Sequence, residues 1–234
     1  MFTREAAMKK RNAVIIFALF VFAATLAFEE AATSNVALFW IIKNKVEKSP
    51  TSKVWKNAKK GELIYGGDYV RTLPKSFALI KFNDSSTLRL GPESEVQVNG
   101  SDNPSNMYVN NGDVGFSMAK RKDKPFEFTT PTSVASIRGT QGILVVGLNN
   151  SDFLTIVEGL VRFVNNFSHD SVNVGAGETG VSSSNGSISI HKSTQADLER
   201  LAQLNDQFGR KHELKIQYRD SNGQMREIII NTQQ

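Results

Sequence analysis

The spacing of turn residues restricts the fold of this chain more than any other feature. From about residue 36 onward, short apolar-rich runs are separated by clusters of Gly, Asn, Asp, Ser and Pro, with little helical periodicity before residue 194. Many runs alternate with period two, as in Leu88/Leu90, Val96/Val98 and Ile188/Ile190, which is the pattern of strands with one buried face. Strands at intervals of about 8 to 12 residues are typical of a sandwich, a barrel or a coil of strands. We therefore predict an all-β body, and the 40% hydrophobic fraction is sufficient for its core.

The predicted turns repeat one chemical pattern, a glycine next to a carboxylate. Glycine supplies positive φ, and the carboxylate can accept backbone N–H groups in a tight turn. The irregular spacing of these acids does not fit a calcium loop, so we predict that they are turn residues. The pairs are Gly61-Glu62, Gly67-Asp68, Gly112-Asp113, Glu158-Gly159 and Gly177-Glu178.

The C-terminal segment follows a different pattern. Residues 194–209 place Leu198, Leu201, Ala202, Leu204 and Phe208 on one helical face, with Ser193 or Thr194 as N-cap and Gly209 as the stop. Residues 213–231 predict a β-hairpin around Asp220-Ser221-Asn222-Gly223. We predict that residues 193–234 form an appendage that docks on the β body or on a partner.

The N-terminus has the layout of an export signal. Lys9, Lys10 and Arg11 precede an uncharged run at 13–28 that ends in small residues. As a helix the run would span about 24 Å, which is short of the hydrocarbon core of about 30 Å. We favour cleavage after Ala27, so that residues 1–27 are a signal peptide; an uncleaved signal anchor is the alternative.

Composition and charge exclude several classes of function. Without the signal, the 28 basic and 23 acidic residues fall to 24 and 22, so the near-neutral body gives no support for nucleic-acid binding. The absence of cysteine excludes a lipoprotein anchor and disulfides. The three histidines are widely spaced and predict no metal site. No Ser elbow, catalytic triad or phosphate loop is visible, and GAGETG at 175–180 is more typical of a turn. We expect no cofactor and no enzymatic activity.

A Thr-Pro pair and an Arg-Gly-Thr run, joined by an apolar strand, stand out at residues 130–140. Before them come Trp55, KKGELIYGGDYVRT, SFALIKFNDSSTLRLGPES and NGDVGFSM, and after them TIVEGLVRFV and VNVGAGETGVSSSNG. In this order the segments resemble the FecR domain over residues 36–190. The resemblance implies an exported all-β fold, a twisted β-solenoid-like or barrel-like sandwich. It also implies a structural motif made of Thr130, Pro131, Val134, Arg138, Gly139 and Thr140.

The same resemblance leaves a sigma-regulating role in doubt. Transmembrane regulators of this family resemble one another in carrying a helical anti-sigma domain on the cytoplasmic side of the apolar segment, where this sequence has twelve residues. We also recognise no small βαβ signalling module after residue 190. The resemblance therefore implies the fold and the exported location rather than the regulatory mechanism.

Three groups of residues are candidates for function. Arg138, if its strand is buried, needs a carboxylate such as Glu127, Glu158 or Glu178, and we favour a structural ion pair over a ligand-binding role. The basic side chains between two predicted strands could contact an anionic polymer or form a solvated tip; they are Lys120, Arg121, Lys122 and Lys124. Aromatic side chains could stack on sugars or pack in the core; they are Trp40, Trp55, Tyr65, Tyr69 and Tyr108.

The leading hypothesis from the sequence is an exported, non-enzymatic interaction module. Its partner would be an envelope protein or a cell-wall polymer such as peptidoglycan or another polysaccharide, with no nucleic acid. Membrane contact would occur only through residues 13–28 if that segment is retained. The alternative is a membrane-anchored signalling component that acts through a separate partner.

The two localisations are distinguished at the N-terminus. If the signal is cleaved, sequencing of the protein from cells will begin near Phe28, and the protein will fractionate as soluble. An intact N-terminus in the membrane fraction would instead support the anchored form.

Overall fold

Nineteen strands and one helix make up the part of the chain that the computed structural model describes. That part comprises residues 35–99, 106–120 and 125–208, and the backbone of 214–219 and 225–230. The predicted export segment at 1–27 lies outside the described residues. The first nine strands are β1 (Asn35–Lys43), β2 (Val46–Ser49), β3 (Lys56–Asn57), β4 (Leu63–Tyr65), β5 (Tyr69–Thr72), β6 (Phe77–Phe82), β7 (Thr87–Leu90), β8 (Glu95–Asn99) and β9 (Asn106–Ser117). Those that follow are β10 (Phe126–Thr129), β11 (Ser133–Ile137), β12 (Gln141–Leu148), β13 (Ser151–Glu158), β14 (Leu160–Asn165), β15 (Ser171–Gly175), β16 (Glu178–Ser183) and β17 (Ile188–Lys192).

These seventeen strands form two layers. Sheet A has the order β4-β1-β6-β7-β9-β12-β13-β16-β17. Sheet B has the order β3-β2-β5-β8-β9-β10-β11-β14-β15. All pairs are antiparallel except β9–β10, which is parallel. The described ladders end at β4 and β17 in one layer and at β3 and β15 in the other, so the sheets are open and do not close into a barrel. The all-β prediction is confirmed.

Strand β9 belongs to both layers. Its first half pairs with β8 and β10 in sheet B, and its second half, from Gly112, pairs with β7 and β12 in sheet A. Gly112 has φ +103, and a Cβ there would clash with Ser94. Only glycine satisfies both conditions, positive φ and close approach of a neighbouring strand. The sequence suggested two strands here, MYVNNG and DVGFSMA, because this glycine resembles a turn signal.

The core lies between the two layers. One continuous cluster of buried side chains includes Phe39, Ile80 and Leu88 from sheet A and Val98, Phe128 and Phe163 from sheet B. Phe126 and Phe128 also meet at a centroid distance of 5.2 Å. Alternation in each strand directs one residue in two into this cluster, which is the pattern that the sequence predicted.

One predicted strand is divided. The run at 36–46 forms β1 in sheet A and then, after Asn44 at φ 57, β2 in sheet B. Asn tolerates the left-handed conformation, and the amide of Asn44 also donates to the carbonyl of Lys75. The chain therefore changes layers where the apolar pattern alone suggested a continuous strand.

The C-terminal helix α1 (Gln195–Asp206) covers part of the outer face of sheet A. Thr194 is its N-cap and forms a capping box with Asp197. Leu201, Leu204 and Phe208 are buried against apolar side chains of sheet A. Gly115 of β9 allows this approach, because a Cβ there would lie 3.0 Å from Leu204 Cδ2. The predicted helix and its apolar face are confirmed.

Two carboxylates interact with α1, Asp197 at its N-terminus and Asp113 of β9 near its middle. Burial raises the pKa of Asp197, but hydrogen bonds from Thr194 and His191 outweigh it and lower that pKa below its usual value. Asp113 lies 3.5 Å from Arg200 of the helix. Burial raises the pKa of Asp113, and the charge of Arg200 opposes that effect.

The predicted C-terminal hairpin is present as β18 (Leu214–Arg219) and β19 (Met225–Ile230), paired antiparallel. Its predicted turn at 220–223 lies outside the described residues. In the described part of the chain, no helix is long and apolar enough to cross a membrane. The boundaries 1–27, 36–190 and 193–234 stay predictions.

A test of the packing between β12 and β13 is Gly142→Ala. The added Cβ would clash with the Thr155 carbonyl and lie 3.0 Å from Phe116 Cζ, so we expect a loss of about 2–3 kcal/mol in the free energy of unfolding. Gly177→Ala is the control, because Gly177 has positive φ but nothing within 4 Å; it should cost about 1 kcal/mol. Urea denaturation of both variants measures the difference, and equal losses would contradict this account of β12.

Candidate functional site

The Thr-Pro segment of the sequence motif forms a turn around a buried carboxylate. Asp152 of β13 is 1% exposed. Its Oδ2 accepts hydrogen bonds from the hydroxyls of Thr130, Thr132 and Ser133, the last at 2.8 Å, and its Oδ1 accepts from the Gly147 N–H at 3.2 Å. Among the described residues no basic side chain pairs with it. The three hydroxyls and the N–H replace the hydrogen bonds to water that the carboxylate loses on burial.

The same turn is tied to the neighbouring strands through amide side chains. Asn166 Nδ2 donates to the Thr130 carbonyl at 3.0 Å, and the Asn166 N–H donates to the Thr132 carbonyl at 2.9 Å. The Ser182 hydroxyl also donates to the Thr132 carbonyl, and Asn165 Nδ2 donates to Ser182 Oγ at 2.8 Å. The turn therefore joins sheet B to sheet A by hydrogen bonds. Thr130, Ser133 and Asp152 are each at most 2% exposed, so we interpret this network as part of the framework of the fold and not as a binding surface.

The Arg-Gly-Thr segment lies at the other end of β11. Val134 is half-buried on β11, Arg138 is exposed and Thr140 is buried. Because Arg138 is exposed, burial does not require a carboxylate partner for it, and its ion-pairing role stays a prediction. Gly139 has φ +62, and the aliphatic part of Lys120 occupies the space of a Cβ. Glycine is required there for conformation and for space.

Three of the predicted glycine–carboxylate turns have the expected chemistry. Glu62 accepts the Lys59 N–H, Asp68 accepts the Tyr65 N–H and Glu178 accepts the Gly175 N–H, each at 2.8–2.9 Å. The last bond closes the turn of GAGETG between β15 and β16, which confirms that this segment is a turn. Asp113 instead faces Arg200 of α1.

The outer face of sheet B carries two tyrosines in register. Tyr69 of β5 lies opposite Gln97 of β8, and Gln97 lies opposite Tyr108 of β9. Directly opposed residues point to the same side of a sheet, so the two rings and the amide form a row. The next row contains Arg71 and Glu95, which also oppose each other.

Arg71 is held in place on this face by two groups, Glu47 and Trp55. Its Nε and Nη2 donate to Glu47 Oε2 at 2.8 and 2.6 Å, and its guanidinium lies 4.0 Å from the ring centroid of Trp55. Lys45 approaches the other oxygen of Glu47 at 3.2 Å. The hydrogen bonds from Arg71 lower the pKa of Glu47 below its usual value, against the opposing effect of burial. The ion pair with Glu47 and the stacking on Trp55 together orient the guanidinium.

A groove of about 300 Å³ lies along the tyrosine row. Tyr69 and Tyr108 line it together with polar residues. We call this surface the tyrosine face; its lining residues are Ser52, Tyr69, Glu95, Val96, Gln97, Tyr108 and Asn110. Two aromatic rings with amide, hydroxyl and carboxylate groups between them can stack on a ligand and hydrogen-bond to it at the same time.

The structure separates the five aromatic candidates. Tyr69 and Tyr108 line the tyrosine face, and Trp55 stacks on Arg71 beside it. Trp40 is 47% exposed on sheet A, where Lys81 lies over its ring at 5.0 Å. Tyr65 is half-buried near Lys48. Only the register between β5, β8 and β9 brings two of the five together.

Sequence reasoning missed the polar members of the tyrosine face and also Asp152. The alternation in EVQVN at 95–99 puts Glu95, Gln97 and Asn99 on one side of the strand, and this pattern could have indicated the polar members of the tyrosine face. Asp152 follows Asn149, Asn150 and Ser151, and this polar run resembles a surface loop. No local signal indicates that its carboxylate is buried.

The predicted polymer-contact residues are only partly described. Lys120 is exposed and lies against Gly139, whereas Arg121, Lys122 and Lys124 lie outside the described residues. The connection between β9 and β10 is not a hairpin, because the two strands pair in parallel. A polymer contact there stays a prediction. In the described part of the chain, no group of three or more His, Asp and Glu side chains could hold a metal ion.

Two open sheets that share a strand, with the Thr-Pro and Arg-Gly-Thr segments at the two ends of β11, define the class of module. Residues 68–162 match the family model described as FecR protein, so this chain contains a FecR domain. The comparison with curated proteins found no match.

Among solved structures, the chain is similar to two described as "a putative anti-sigma factor" from Parabacteroides distasonis. Both give a TM-score of 0.49, with 12% and 11% sequence identity. The aligned part covers 56% of this chain and 62% of the other, so the chain spans less than two thirds of the length of these proteins.

The role of Asp152 can be measured with Asp152→Asn. Asparagine has one acceptor oxygen where aspartate has two, so in either orientation its NH2 group faces a donor, either the three hydroxyls or the Gly147 N–H. We therefore expect a loss of about 2–4 kcal/mol in the free energy of unfolding. Asp170→Asn is a matched control, because Asp170 is exposed and should change stability by less than about 0.5 kcal/mol. If denaturation shows no difference between the two variants, the network does not stabilise the fold.

Proposed function

We propose that this chain is an exported, non-enzymatic binding module of the cell envelope and that the tyrosine face of its FecR domain is the recognition surface. The observation that carries the proposal is the row Tyr69-Gln97-Tyr108 along a groove of about 300 Å³. Both rings are half-buried, and half-buried tyrosines beside hydrogen-bonding side chains are typical of a recognition surface, because the ring offers an apolar body and a polar end.

The chemistry of the groove favours binding over catalysis. Glu95 is the one carboxylate among its described lining residues. Hydrolysis of a glycosidic bond uses a pair of carboxyl groups about 5–9.5 Å apart, and acyl transfer needs a nucleophile with an adjacent base. A lone carboxylate between aromatic rings is suited to accepting hydrogen bonds from a ligand.

The expected location is the periplasm or the cell envelope. The basic head and apolar run at the N-terminus support export, and the FecR match supports an envelope role. If residues 13–28 are retained, the module would be attached to the inner membrane. The partner is either an envelope protein or a polymer of the cell wall, and the tyrosine face is a surface at which either could bind.

A signalling role is the second candidate, and the FecR match at 68–162 favours it. In that case the module would be a component of a transmembrane regulatory system, in the manner of sigma-factor regulators, and would pass its signal through a separate protein. The β body would still need a recognition surface, so both candidates use the same site. Deleting the gene and measuring transcription genome-wide separates them, because only a signalling component should change the expression of a defined set of genes.

The recognition surface can be tested by retention on envelope material. The purified chain is incubated with a washed envelope fraction that contains sacculi and membranes, and the bound amount is measured after sedimentation. We expect Tyr69→Ala/Tyr108→Ala to reduce retention at least about tenfold, because the stacking surface is removed.

Trp40→Ala is the matched control, since it removes an exposed aromatic ring from sheet A. It should keep the retention of the unmodified chain. If the double variant is retained as well as the control, the tyrosine face is not the recognition surface.

A further inference from the structure

We infer that the tyrosine face binds an uncharged polysaccharide strand, which lies across β5, β8 and β9 with one sugar ring stacked on Tyr69 and another on Tyr108. This inference rests on the proposed function and specifies its ligand. It differs from the polymer contact predicted for the basic run, which would select an anionic ligand through charge.

The spacing of the two rings supports a ligand with a repeating unit. Tyr69 and Tyr108 occupy strands separated by β8 alone, and neighbouring strands lie about 4.8 Å apart, so the backbone positions that carry the two rings are about 10 Å apart. That separation is close to the length of a disaccharide unit. Because both rings sit on a sheet fixed by its ladder hydrogen bonds, the spacing does not depend on a flexible loop.

The charge of the surface supports an uncharged ligand. Glu95 lines the groove, and beside it Glu47 pairs with both Lys45 and Arg71, so the charges of these two acids and two bases sum to zero. Arg71 donates two hydrogen bonds to Glu47, and its guanidinium stacks on the ring of Trp55. The guanidinium is therefore poorly placed to hold a phosphate or carboxylate group.

The hydrogen-bonding groups of the groove are available to hydroxyl groups. Asn110 Nδ2 lies 3.5 Å from Glu95 Oε1, and Gln97 Nε2 lies 3.4 Å from the Gly67 carbonyl, both at the long limit for a hydrogen bond. Within the described ranges, neither phenol of Tyr69 and Tyr108 makes a hydrogen bond. These amide, phenol and carboxylate groups would lose only weak hydrogen bonds within the protein when they bind the hydroxyl and acetamido groups of a sugar.

The test is a titration of the purified chain with N-acetylglucosamine oligosaccharides of increasing length. Isothermal calorimetry measures Kd, and Trp55, which stacks beside the groove, provides a fluorescence signal. We expect affinity to rise with length until both rings are covered, and to change little between about 0.1 M and 1 M NaCl, because no charge pairing is involved. Tyr69→Ala, Gln97→Ala and Tyr108→Ala should each weaken binding about tenfold.

Two matched variants keep the result specific. Tyr69→Phe retains the stacking surface and should bind more tightly than Tyr69→Ala, and Trp40→Ala should bind as the unmodified chain does. Thermal midpoints show that each variant is folded. Polygalacturonate is the anionic comparison; binding of that polymer with a steep loss in salt, and no binding of the uncharged oligosaccharides, would overturn the inference.

The two experiments distinguish failure of the polysaccharide inference from failure of the proposed recognition surface. If the oligosaccharides do not bind but Tyr69→Ala/Tyr108→Ala still loses retention on the envelope fraction, the uncharged-polysaccharide inference is wrong and the proposed surface stands, with an envelope protein as its partner. If retention is also unchanged in the double variant, both are wrong.

Discussion

The passage of β9 from one sheet to the other is the constraint on which the rest of the structure depends. Its first half carries Tyr108 into sheet B, and its second half carries Gly115 into sheet A, where α1 docks. Gly112 makes the passage possible, since it combines positive φ with close contact to Ser94. Because one strand fixes both layers, the spacing of the tyrosine face and the docking surface of the helix are set by the same backbone element.

The FecR sequence motif serves this frame rather than a ligand. Thr130, Thr132 and Ser133 surround the buried Asp152, and Gly139 provides the backbone conformation and the space at the other end of β11. These residues stand out in the sequence because their conformations and contacts tolerate few alternatives. In the function we propose, recognition belongs instead to side chains that project from the strands, such as Tyr69, Gln97 and Tyr108.

The outer faces of the two sheets differ in the side chains that they carry. On sheet A, α1 covers an apolar area, and the burial of Leu201, Leu204 and Phe208 offsets the cost of ordering the helix. On sheet B, the outward positions of β5 and β8 are polar or aromatic, and the row that contains Tyr69, Gln97 and Tyr108 continues to the half-buried Val134 and Val164. The helix therefore docks on the apolar outer face of sheet A, and the tyrosine face lies on the other sheet.

The sequence by itself determined the all-β class, most strand positions, the helix with its Thr194 cap and several glycine–carboxylate turns, because these follow from local periodicity and backbone preference. It also determined the FecR assignment through motifs in order along the chain. Only the tertiary structure decided that Asn44 divides a strand, that β9 is shared, that Arg138 is exposed and that Tyr69, Gln97 and Tyr108 form one row. Those outcomes depend on register between strands far apart in sequence, which no local pattern encodes.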